Sequence, residues 1–191
     1  MEWINDIKER ISRRLMRNTD RNRDYVRDFI DLESAKQVGL IINSTEMTDD
    51  EAQIFVQYAE GLKKRGKQLL IIELNFVKKS APRFTGLGEL LFVEPAGLKW
   101  SDYPGPQVEA QVKKYELDIL MDFDHSPRIT SRYLCSLARA RTRTGVHREG
   151  FESCYELMIN RDSYDGLKAM IREFDYFLNM IDNGKRVKAK A

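Results

Sequence analysis

Short apolar runs alternate with amphipathic segments along most of this chain, and the alternation predicts strands and helices in turn. Residues 38–43 and 68–76 are continuous apolar runs, as expected for strands that are covered on both faces of a sheet. Between them, Thr48 and Glu51 stand three positions apart before apolar residues at helical spacing, which predicts a helix with a capping box. A strand, a helix and a strand in this order indicate a parallel pair.

The rest of the chain repeats this alternation. We expect further strands at residues 89–94, 117–124, 142–147 and 155–160, and further helices at 107–114, from Ser126 onward and at 164–181. The second of these helices is placed at Ser126 because serine is a preferred N-cap and Pro127 is tolerated at the first helical position. The pattern predicts a three-layer α/β sandwich around a mostly parallel, Rossmann-like sheet of five or six strands.

The two ends of the chain differ from this core pattern. Residues 1–24 are basic and carry apolar residues at helical spacing, which predicts a leading amphipathic helix followed by a connector. Residues 184–191 include four basic residues, and we expect a disordered tail there. No linker-like stretch interrupts the pattern between these ends, so we expect a single α/β domain over residues 1–183.

Composition favours a water-soluble, cytoplasmic protein. No apolar run approaches the roughly 20 residues that a membrane helix requires, and the first residues are too charged for a signal peptide. The chain has only two histidines and two cysteines, so we expect no zinc site and two reduced, packed thiols. The glycine-rich phosphate-binding fingerprints are absent, and we expect no cofactor.

Basic residues are concentrated, although the net charge is only +2. Residues 128–148 contain six arginines and no acidic residue. On a helix that begins at Ser126, Arg128, Arg132 and Arg139 would share one face. Clustered arginines of this kind bind phosphate groups. The candidate polyanion-binding residues are therefore Arg128, Arg132, Arg139, Arg141 and Arg143.

This arginine-rich stretch favours a non-enzymatic binding or scaffold protein. Its anionic partner would be RNA, the ribosome or an acidic protein. The structural alternative is a solvated helix face whose charges pair with acids elsewhere in the chain. A scaffold role also allows a homodimer, because the apolar stripe of residues 1–24 can pack on the chain's own sheet or on a second copy.

Polar residues follow the predicted strands, where ligands bind in open parallel sheets. Asn43, Ser44 and Thr45 come directly after the first strand, while Ser126 and Arg128 open the helix after the strand at 117–124. A helix start with a nearby arginine can hold a phosphate or a carboxylate. These five residues are the predicted ligand-binding set.

The turn at Asp122, Asp124 and His125 supplies the candidate catalytic residues. The two aspartates alternate along the strand end and would therefore point to one face of the sheet. Their spacing resembles the D-x-D motif of haloacid-dehalogenase-type phosphatases, which implies a nucleophile at Asp122 and a general acid/base at Asp124. His125 has a side chain that can titrate near neutral pH. The structural alternative is that one acid caps the helix start.

A local resemblance covers residues 115–147, which look like the N-terminal half of the ADP-heptose-type glycosyltransferases. The matching positions are Asp118, Asp122, Arg128, Ser131, Leu134, Ala138, Ala140, Arg143 and Gly145. The resemblance implies a Rossmann-like fold of the kind that forms the N-terminal half of those enzymes. It adds to the alternative function, which is a small-molecule enzyme or a degenerate glycosyltransferase-like domain that acts on a phosphorylated or nucleotide-type ligand. The whole chain also resembles a family of small uncharacterised bacterial proteins, and this implies a fold but no function.

Overall fold

The computed structural model describes residues 28–181 except 46, 100, 127, 161, 163 and 164. Within these residues the strands are β1 (Gln37–Asn43), β2 (Gln68–Leu74), β3 (Glu89–Val93), β4 (Glu116–Asp122), β5 (Arg139–Val146) and β6 (Leu157–Ile159). The helices are α1 (Asp49–Lys64), α2 (Pro106–Val112), α3 (Thr130–Leu137) and α4 (Gly166–Met180), with short 3-10 turns at Pro95–Gly97 and Glu152–Cys154. The predicted leading helix, its proposed dimer contact and the basic tail lie outside the described residues.

The six strands form one sheet in the order β3-β2-β1-β4-β5-β6, and every neighbouring pair is parallel. This confirms the predicted parallel, Rossmann-like architecture. The strand order reverses between β1 and β4, where Ile41 is in register with both Ile72 of β2 and Asp122 of β4. A ligand crevice is expected at the carboxyl ends of these two strands.

Two apolar clusters cover the two faces of the sheet and give the fold its three layers. One cluster packs α1 and α4 on the sheet through buried residues such as Phe55, Leu62 and Phe174. The other packs α2 and α3 through residues such as Val108 and Leu134. No helix in the described ranges is long and apolar enough to cross a membrane.

Helix α1 begins as the sequence predicts. The Glu51 backbone N–H donates to Thr48 Oγ1 at 3.2 Å, and the Thr48 backbone N–H donates to Glu51 Oε2 at 3.0 Å. These reciprocal bonds satisfy two backbone donors that have no partner within the helix itself. Because α1 starts there, the turn after β1 is short and remains at the edge of the sheet.

Helix α3 begins later than predicted, at Thr130 rather than at Ser126. The Ser126 N–H donates to Asp124 Oδ1 at 3.0 Å, and Ser126 Oγ accepts the Arg128 N–H at 3.3 Å. Such local side-chain bonds compete with helix formation. They hold this segment as a loop, so the predicted helix face with Arg128, Arg132 and Arg139 does not form.

Candidate functional site

A cavity of about 430 Å³ opens at the carboxyl ends of β1 and β4. Its polar wall includes Asn43, Thr45, Asp124, His125, Ser126 and Arg128. Asn43 Nδ2 donates to Asp124 Oδ1 at 3.3 Å, so the two turns lie side by side as predicted. The cavity has the volume of a small-molecule site, and it lies where the strand order reverses.

The turn after β1 is fixed by its own polar groups. The Thr45 N–H donates to Asn43 Oδ1, and Thr45 Oγ1 accepts the N–H of Phe76, both at 3.0 Å. Ser44 has a different role from the predicted one. It is buried, donates to Glu73 Oε1 at 2.7 Å and accepts from Asn75 Nδ2 at 3.1 Å, so its hydroxyl stabilises the interior.

Arg128 carries the exposed positive charge of the cavity. Its guanidinium lies over the ring of Phe76, 4.1 Å from the centroid. Stacking on an aromatic ring restrains a guanidinium, while its in-plane N–H groups remain able to bind a planar or tetrahedral anion. Phe76 was not among the site residues predicted from the sequence. The available signal was an aromatic residue two positions after the end of β2, at the same edge of the sheet as Asn43 and Asp124.

Asp124 forms part of the cavity wall and is 2% exposed. Its Oδ1 accepts from Asn43 Nδ2 and from the Ser126 N–H. Its Oδ2 is buried and has no hydrogen-bond partner among the described residues. A buried acceptor without a donor costs about 1–3 kcal/mol, so this carboxylate is available to a ligand or water that donates to it.

Asp122 does not share that cavity. It is fully buried, and its Oδ2 accepts from the Tyr155 hydroxyl at 2.6 Å and faces Cys135 Sγ at 3.9 Å. Its Oδ1 accepts the Asp124 N–H at 2.9 Å. The structure therefore separates the two carboxylates, and a nucleophilic role for Asp122 lacks access to any ligand. Burial first, and then the charge of Asp124, raise the pKa of Asp122 to about 6.

Gly145 is what allows Tyr155 to reach this carboxylate. A Cβ at position 145 would lie 2.3 Å from Tyr155 Cε1, so the ring occupies the space that any other side chain would fill. Burial and the charge of Asp122 raise the pKa of Tyr155 well above its ordinary value. The same two causes raise the pKa of the Cys135 thiol. Both groups therefore remain protonated around Asp122.

The predicted arginine surface is dispersed by the fold. Arg143 is fully buried and pairs with Glu156, and Arg132 is 3% exposed. Arg139 pairs with Glu116, and Arg141 pairs with Asp28, at the amino-terminal end of β5. Only Arg128 among the five candidates lies at the cavity, because β5 carries three of them away from it.

The cysteines and possible metal ligands add no further centre in the described part of the chain. Cys135 and Cys154 are both buried and not disulfide-bonded. Across the same residues, no group of three or more histidine, cysteine, aspartate or glutamate side chains is placed to hold a metal ion.

Comparisons with known proteins identify a family for this chain. The model of a family described as "Family of unknown function (DUF6913)" matches residues 8–181. The structure is similar to the crystal structure of the glycosyl transferase family 9 from Veillonella parvula DSM 2008, with 15% identity and a TM-score of 0.49. That match covers 78% of this chain and 42% of the other, so the chain spans less than half of that protein. No curated protein matches the chain.

Proposed function

Because the chain belongs to this family of unknown function, we propose a function from the site itself, namely that the protein binds a small phosphorylated or nucleotide-type ligand in the cavity between β1 and β4. The observation that carries the proposal is the position of Arg128, whose guanidinium stacks on Phe76 at the edge of that cavity. Arginine binds phosphate oxygens through paired N–H groups, and such charge-assisted bonds are about twice as strong as neutral ones.

The remaining wall suits the same ligand class. Thr45 and Ser126 have hydroxyl groups, and Asn43 has an amide with a second N–H beyond the one that binds Asp124. These groups and the Arg128 guanidinium can donate to an anionic group, whereas the carboxylates of Asp124 and Glu51, which also line the cavity, can accept from a ligand's hydroxyl or amino groups. Phe76 and Phe123 add apolar surface, which is suitable for a base or a sugar ring.

Binding at this cavity is better supported than binding of RNA, the ribosome or an acidic protein on a basic surface. A polyanion site needs clustered and accessible donors. Arg132 and Arg143 are buried, and Arg139 and Arg141 lie at the opposite edge of the sheet from Arg128, paired with carboxylates. The proposal therefore adopts the small-molecule alternative from the sequence and makes no claim about catalysis.

The test is calorimetric titration with inorganic phosphate, AMP and cyclic AMP. We expect a nucleotide to bind and Arg128→Ala to weaken it about 10- to 100-fold, because a charge-assisted hydrogen bond contributes about 1.5–3 kcal/mol. Arg172→Ala, which removes an exposed arginine on α4, is the matched control and should leave the affinity unchanged. Equal affinity in Arg128→Ala and wild type, or no binding of any probe, would contradict the proposal.

A further inference from the structure

Two buried charged residues, Asp122 and Arg132, form hydrogen bonds to the two ends of the loop that lines the cavity. The site loop is defined here as Asp124, His125, Ser126 and Arg128. At its start, the Asp124 N–H donates to Asp122 Oδ1 at 2.9 Å. At its end, the Arg128 carbonyl oxygen accepts from Arg132 Nη1 at 2.6 Å. The loop that carries most of the polar wall is thus tied to the interior by an acid and a base.

These two residues are charged groups in the protein interior, since Asp122 is fully buried and Arg132 is 3% exposed. Burying charge is costly unless it is paired and hydrogen-bonded. Arg132 is incompletely satisfied, because its Nε has no hydrogen-bond partner in the described part of the chain. A hydrophobic pair would stabilise the core at lower cost, so the charges require another explanation.

The surroundings of Asp122 are defined on every side. Asp124 and His125 lie beyond it on the site loop, and Arg132 and Cys135 face it from α3. Tyr155 and Cys154 face this cluster from the end of the 3-10 turn, where the Tyr155 hydroxyl is 2.6 Å from Asp122 Oδ2. The neighbouring groups are chiefly hydrogen-bond donors to a carboxylate, together with one like charge at Asp124.

We propose that Asp122 and Arg132 are positioning residues that clamp the site loop, and that uptake of a proton by Asp122 loosens the clamp and weakens ligand binding. The second half of this inference rests on the proposed function, and the first half does not. Ionised Asp122 accepts from the Asp124 N–H and the Tyr155 hydroxyl, and it attracts Arg132. Protonated Asp122 loses the charge that strengthens all three interactions.

Asp122 takes up its proton within a pH range that is accessible to experiment. Burial and the charge of Asp124 raise the pKa of Asp122 to about 6, against the lowering effects of Arg132 and the Tyr155 hydrogen bond. At pH 5, one unit below that value, only about a tenth of the molecules retain the carboxylate. If the clamped loop is the binding-competent form, affinity at pH 5 falls about tenfold from its value at pH 7.5.

The first experiment measures the loop itself without any ligand. In ¹⁵N-labelled protein, the amide signal of Asp124 should titrate near pH 6, and its protection factor against hydrogen exchange should fall about tenfold at pH 5. The experiment is run in a His125→Gln background, which removes the neighbouring imidazole. The Ile30 amide, which donates to the neutral Thr142 hydroxyl and does not contact the site loop, is the internal control.

Asp122→Asn provides the decisive comparison, because its Oδ1 can still accept the Asp124 N–H while the titration is lost. We expect no transition of the Asp124 amide in that variant. An Asp124 amide that titrates equally in wild type and Asp122→Asn overturns the clamp.

The second experiment measures cyclic AMP affinity at pH 7.5 and pH 5, since a phosphodiester keeps its charge over this range. We expect about a tenfold loss in wild type and none in Asp122→Asn. An equal pH dependence in both proteins overturns the link to binding. Titration of the Asp124 amide without any nucleotide binding supports the clamp and contradicts the proposed function, so the two failures are distinguishable.

Discussion

Replacing Glu156 with glutamine is expected to lower the free energy of unfolding by about 3–5 kcal/mol, because the substitution leaves the charge of Arg143 buried without a counter-ion. The Arg143 side chain has no exposed surface, and that of Glu156 is 5% exposed. Their contact is bidentate, with Arg143 Nη2 at 2.6 Å from Glu156 Oε1 and Arg143 Nε at 3.0 Å from Oε2. Urea denaturation at pH 7 measures the loss.

Two further variants separate this effect from simple loss of a contact. Arg143→Met combined with Glu156→Leu removes both charges and should recover most of the stability, since apolar replacements of buried ion pairs are often neutral or better. Arg141 lies on the same strand as Arg143 and forms a half-exposed ion pair with Asp28. Arg141→Met removes that pair and should lower the free energy of unfolding by less than about 1 kcal/mol. A Glu156→Gln cost as small as that of Arg141→Met would contradict a fully desolvated pair.

As the pH rises from 4 to 7, ionisation of Asp122 should lower the free energy of unfolding of the wild-type protein by up to about 3 kcal/mol. Asp122→Asn should not show this loss. Burial raises the pKa of this carboxyl from 3.8 to about 6 on folding. Below pH 3.8 the group is protonated in both states, so its contribution is fully present. Between pH 3.8 and 6 the unfolded chain loses the proton first, which favours unfolding.

The measurement is the stability difference between wild type and Asp122→Asn, from urea denaturation at pH 4.5, 5.5 and 7. We expect the difference to grow in favour of the variant with rising pH and to level off above pH 6. Tyr155→Phe is the informative companion, because it removes a donor that lowers the pKa of Asp122 and should extend the window to higher pH. A pH-independent difference would show that Asp122 does not titrate in this range.

The fold follows from sequence because it depends on burial patterns that are local. The apolar run of β1 requires cover on both faces, and the Thr48–Glu51 box marks the start of α1. Parallel topology then brings the ends of β1 and β4 to one edge of the sheet, which is why Asn43 and Asp124 could be placed together in advance.

The details of the site depend on contacts between distant residues, and these were not predictable in the same way. Ser126 and Pro127 are a good helix start by local preference. However, the Ser126 N–H donates to the Asp124 carboxylate, and α3 begins only at Thr130. Arg139, Arg141 and Arg143 alternate along one strand. Nothing in their spacing shows which of them is buried, because the partner of Arg143 lies 13 residues further along the chain.

The same limit applies to Asp122. Its alternation with Asp124 suggested a shared site, whereas its actual partner is the hydroxyl of Tyr155, which is 33 residues away. That contact requires the missing side chain at Gly145, and a glycine in a strand pattern does not identify what lies over it.

The most direct test of the ligand site is to map the backbone amides that shift when AMP is added to ¹⁵N-labelled protein. We expect the largest changes at Asn43, Thr45 and Phe76 and at the site loop, all of which line the cavity. Changes concentrated at Arg139 and Arg141, on the opposite edge of the sheet, would contradict this expectation and favour a basic binding surface instead.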